Sequence, residues 1–72
     1  MAYVARLAWP ERLAEQAQAV RDALAGFDGP VTAEQVAAAF VDAPVERVAE
    51  LLETLASLGQ VAMTEDGRFA AA

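Results

Sequence analysis

Thr32 is followed three residues later by Gln35, with Val31 just before it and Val36 four positions after. Thr-x-x-Gln is a capping box, in which the threonine hydroxyl serves the third helical N–H and the glutamine side chain serves the threonine N–H. The two valines occupy the positions of a hydrophobic staple, so two independent devices place a helix start at the same residue. The spacing predicts a short helix from about Ala33 to Phe40, with Val36, Ala37, Ala39 and Phe40 as a small apolar face. It is about two turns long.

Signals on either side build outward from this boundary. Upstream, Pro10 suits the first turn of a helix and Glu11 its positive end. Leu13, Ala17, Val20, Leu24 and Phe27 then step by four and three along one stripe. Gly26 and Asp28-Gly29-Pro30 end that first helix. Downstream, Val41-Asp42-Ala43 leaves room only for a tight turn before Pro44, which is placed in the first turn of a third helix with Asp42 or Ala43 as its cap. Val48, Leu51, Leu52, Leu55 and Leu58 form the third helix's apolar stripe, and Gly59 supplies a left-handed stop.

Val61-Ala62-Met63 and Arg68-Phe69-Ala70 flank a turn whose Asp66-Gly67 pair is a strong hairpin signal. Two short strands are marginal alone. Val31 and its neighbours are the expected third strand, with Phe69 and Met63 packed onto the helices. The fold class is therefore mainly α with a small β-hairpin: a winged helix-turn-helix of three helices plus a two- or three-stranded wing sheet. Residues 10–72 form this single domain. Residues 1–9, containing β-favouring Tyr3 and Val4, precede it either as a strand or as an arm across the core.

Composition decides what chemistry this scaffold can carry. The chain has 72 residues with neither cysteine nor histidine, which excludes disulfides, the usual zinc sites, thiol nucleophiles and imidazole acid–base catalysis. Glu50 and Glu53, three apart on an exposed helix, are a commonplace pair rather than a hydrolase or metal site, and Ser57 and Thr64 have no base. No enzyme, cofactor or metal is expected. No apolar run approaches the roughly 18 residues of a membrane span. Arg6 and Trp9-Pro10 interrupt the segment a signal peptide would need, so the expected location is the cytoplasm, without membrane contact.

Eleven acidic residues stand against five arginines and no lysine, a formal net charge of −6. Through Asp28 there are four acids and three arginines; after it there are seven acids with only Arg47 and Arg68. The acidity thus belongs to the helix-turn-helix half. Opposite the leucine stripe of the third helix lie Glu46, Glu50 and Glu53, with Arg47 beside them. In a groove-binding pose this face would meet phosphates with the wrong sign, each contact costing about 1 kcal/mol or more. A plain solvated helix face is the first reading of these residues, a docking surface for a basic partner the second, and base readout the third. Candidate DNA contacts are Arg47, Arg68 on the wing, and Arg12 and Arg21, which with Arg6 could share one basic side of the arm and first helix. Glu15 and Asp22 are close enough to neutralise that patch, and Glu65 and Asp66 precede Arg68. Tyr3 and Trp9 either cap the core or mark an interface, whether a homodimer seam or a junction with another domain.

The pattern resembles the winged-helix module at the C-terminal end of some bacterial DNA methyltransferases and restriction-modification proteins. The matching stretches are Trp9-Pro10, Gln16, Ala19-Val20-Arg21, Thr32-Ala33-Glu34, residues 37–40, RVAELLETLASLGQ over 47–60, and Asp66-Gly67-Arg68-Phe69-Ala70. The resemblance covers nearly the whole chain. It implies a bacterial DNA-modification setting, an accessory rather than catalytic role, and a parent enzyme longer than these residues. Val41, Asp42, Pro44, Val45 and Glu46 stand where a DNA-reading version carries lysines and arginines. The leading expectation is a module contacting a protein partner or its parent enzyme. Direct but weak DNA binding comes second, and a small homodimerisation unit third.

Overall fold

A computed structural model describes residues 7–72; Tyr3 and Arg6 of the expected arm lie outside the described residues. Its helices are α1 (Leu13–Ala25), α2 (Ala33–Ala37) and α3 (Val45–Ser57), and its strands are β1 (Leu7–Ala8), β2 (Phe40–Val41), β3 (Val61–Met63) and β4 (Phe69–Ala71). Among the described residues the chain is mainly helical, with two small sheets of two strands each. β1 pairs parallel to β2, and β3 pairs antiparallel to β4.

The capping box is fully formed. Gln35 N–H donates to Thr32 Oγ1 at 3.2 Å while Thr32 N–H donates to Gln35 Oε1 at 2.8 Å. Val31 and Val36 are both buried in the single core cluster, as a staple requires. The other end of α2 differs from expectation, because the helix stops at Ala37 and Phe40 lies in β2. Leu7 pairs with Phe40 and Ala8 with Val41, and Leu7 N–H donates to Ala39 C=O at 2.9 Å. That parallel pairing draws the segment after Ala39 into extended backbone. Phe40 still enters the core, with Trp9 edge-on to it at 5.1 Å between ring centroids.

The same pairing moves the start of α1. Pro10 was expected in its first turn, yet the helix begins at Leu13 with Arg12 in extended backbone at the cap position. Arg12 has no side-chain oxygen to offer as a cap. The Pro10 carbonyl instead accepts from Nε2 of Gln16 at 2.8 Å. Gln16 is the buried polar residue of the core, and its Oε1 has no partner among the described residues.

Between β2 and α3 the chain turns at Asp42, whose φ of 57° is the left-handed conformation that short polar side chains tolerate best. Pro44 then occupies the cap position of α3 rather than its first turn, so neither Asp42 nor Ala43 caps it. At the far end Gly59 has φ 77°, its N–H donates to Ala56 C=O, and Gln60 N–H donates to Leu55 C=O. These two bonds make a Schellman motif, the left-handed stop expected of this glycine.

β3 and β4 join through residues 64–68, with Gly67 left-handed at φ 83°. Val31 forms an isolated antiparallel bridge to Phe69 through two bonds of 2.8 Å, tying the hairpin to the start of α2. Phe69 is buried accordingly. Met63 is not packed on the helices as expected: it ends β3 beside the turn and is 58% exposed. Val20, Leu24, Val36, Phe40, Val48 and Leu52 form the fully enclosed centre. Leu13 and Leu58, expected to close the apolar stripes of α1 and α3, are 58% and 65% exposed because they overhang the helix ends.

Candidate functional site

With Val48, Leu51, Leu52 and Leu55 turned into the core, the 3.6-residue period leaves Glu46, Glu50 and Glu53 on the outer side of α3. All three are exposed, as is Arg47. Among the described residues the one ion pair is Arg68 with Asp66, so these three carboxylates and Arg47 are paired with no opposite charge there. Glu46 sits in the first turn, where the helix dipole favours it by about 0.3–1 kcal/mol. Glu50 and Glu53 lie further along and gain nothing comparable.

Beside this acidic stripe runs a groove of about 410 Å³ between the first two turns of α1 and the length of α3. Its α3 wall is Arg47, Glu50, Leu51, Thr54, Leu55 and Leu58, one continuous stripe at spacings of three and one. Its α1 wall is Leu13, Ala14 and Ala17. Leu51 and Leu55 are buried in its floor, whereas Leu13 and Leu58 stand on its rims. The surface is thus apolar, with Glu50 on the boundary between groove and acidic stripe. The overhang of the two leucines is what opens it, and the stripe pattern counted both as core.

The other candidate contacts do not converge. Arg12 stands in extended backbone at the cap position of α1 and Arg21 lies within the helix nine positions on, both exposed. Neither pairs with Glu15 or Asp22, and Asp22 instead accepts from Nε2 of Gln18 at 2.9 Å. Arg21 and Asp22 line a smaller hollow of about 230 Å³ with Gln60 and the C-terminal alanines. Arg68 is held at 3.4 Å from Oδ2 of Asp66 on the exposed hairpin. The Thr64 hydroxyl donates to the same carboxylate, and this bond, ahead of the Arg68 charge, holds Asp66 below the usual carboxylate range. Trp9 is half-buried against Phe40, while Tyr3 lies outside the described residues.

Among the described residues no cluster of three or more acidic, cysteine or histidine side chains is placed to hold a metal ion. Nor is any helix there long and apolar enough to cross a membrane. Comparison with known protein families, curated proteins and solved structures finds no match to this chain.

Proposed function

We propose that this domain is a winged helix-turn-helix module without catalytic activity, which contacts a protein partner or its parent enzyme through the exposed side of α3. The order of three helices, the bridge from Val31 to Phe69 and the terminal hairpin support the winged-helix reading. The resemblance to methyltransferase C-terminal modules supports a cytoplasmic DNA-modification setting. One observation carries the choice of protein over DNA: Glu46, Glu50 and Glu53 are exposed and unpaired among the described residues on the helix that would enter the major groove. A phosphate-contacting surface gains its affinity by neutralising phosphates, and this one adds negative charge.

Fluorescence-anisotropy titration of duplex DNA across a salt series tests the reading. The expected result is no saturation below about 100 µM at physiological salt, the weak edge of non-specific binding. A Kd tighter than about 10 µM with a log–log salt slope of several units would overturn it in favour of contacts through Arg47, Arg68, Arg12 and Arg21.

A further inference from the structure

We infer that the groove between α1 and α3 receives an amphipathic helix whose apolar edge fills the groove and whose flank carries lysine or arginine. The inference rests on reading the domain as a protein-docking module and names the surface and the chemistry of the partner. Arg47 to Leu58 spans eleven residues, about 16 Å at 1.5 Å per residue, the length of three helical turns. A helix bound in a groove presents anchors at i, i+3 or i+4, and i+7, which fit a trough of this length. Leu13 and Leu58 are more than half exposed at its two rims, where an anchor would cover them, and the core makes no use of either.

Charge decides which helix. On α3 the groove wall itself carries Glu50 and one cation, Arg47, and Glu46 and Glu53 lie four and three positions from Glu50 on the outer side of the helix. A partner lying in the groove therefore sets one flank against a row of carboxylates. A cationic flank gains from that row and an anionic flank is repelled. The same argument disfavours a second copy of this chain, because two molecules each of net charge −6 would bring like faces together. It equally disfavours an anionic lipid surface.

The test is an amide-resolved NMR titration of the full 72-residue chain with a synthetic helical peptide of about sixteen residues. The peptide carries leucines at i, i+3, i+7 and i+11 with lysines along one flank; its counterpart replaces the lysines by glutamates. The lysine peptide is expected to bind saturably, shifting residues 13–17 and 47–58, and the glutamate peptide to bind at least about tenfold more weakly. Leu13→Gln and Leu58→Gln, both at exposed positions, should each weaken the lysine peptide about fivefold to tenfold, as loss of an interface anchor does. Circular dichroism of each variant verifies that it remains folded. Equal binding to the parent and to both variants would overturn the groove while leaving the acidic docking face in place. Absence of lysine-peptide binding at millimolar concentration, or self-association through Leu13 and Leu58, would overturn the inference. Duplex binding would overturn the docking reading beneath it.

Discussion

Replacing Phe40 by alanine removes a ring that is 2% exposed and in edge-to-face contact with Trp9. Large-to-small changes of this kind cost about 3–5 kcal/mol, of which the aromatic pair accounts for about 0.5–1.5 kcal/mol. A domain of 72 residues is expected to be stable by about 4–11 kcal/mol, so the loss ranges from about a quarter of the total to all of it. Urea denaturation followed by far-ultraviolet circular dichroism gives the value; at an m of about 1 kcal/mol per M the midpoint falls by about 3–5 M or folding is lost. Phe40→Leu keeps most of the volume, and a double-mutant cycle with Trp9→Leu isolates the pair term. A Phe40→Ala change below about 1 kcal/mol would place Phe40 outside the core and the strand it belongs to out of register with β1.

Thr32→Ala removes the hydroxyl acceptor of the capping box and is expected to cost about 0.5–2 kcal/mol by the same denaturation assay; an unchanged midpoint would deny the box an energetic role. Asp42 is left-handed, so Asp42→Val should destabilise by about 1–2 kcal/mol while Asp42→Gly stays much closer to the parent, and equal effects of the two would contradict the φ of 57°. Asp66 is held below the ordinary carboxylate range chiefly by the Thr64 hydroxyl, so its contribution to stability is present above that range and disappears as pH falls through the lowered folded-state value. NMR titration should show the Asp66 carboxyl returning toward the ordinary range in Thr64→Val and moving less in Arg68→Ala, and the reverse order would contradict the assignment.

Features of this fold that depend on neighbours in sequence are written plainly there. Thr32 and Gln35 cap a helix by contacts within three residues, Gly59 stops one with bonds to the turn before it, and the 64–68 turn needs only its own polar atoms. The β1–β2 pair was not legible, because it joins two residues at each of two distant points, and Phe40 fits an apolar helical spacing with Val36 and Ala37 as well as it fits a strand. The start of α1 at Leu13 rather than Pro10 has the same origin, since residues 7 and 8 are held in the strand pair just before it. For the candidate site, the outward direction of Glu46, Glu50 and Glu53 follows from the leucine period and was readable. The groove was not. Periodicity assigns Leu13 and Leu58 to buried stripes, and only the packing of one helix against the other reveals that the stripe ends extend past their cover.

We propose that α3 offers its exposed side to a protein rather than to a nucleic acid. Side-by-side NMR titrations of this chain with a 16-base-pair duplex and with the lysine-flanked helical peptide, at one physiological ionic strength, decide between the two. Peptide-dependent shifts along residues 47–58, with the same amides unmoved by duplex, are the predicted result. Saturable duplex-dependent shifts in those residues, with none from the peptide, would contradict it.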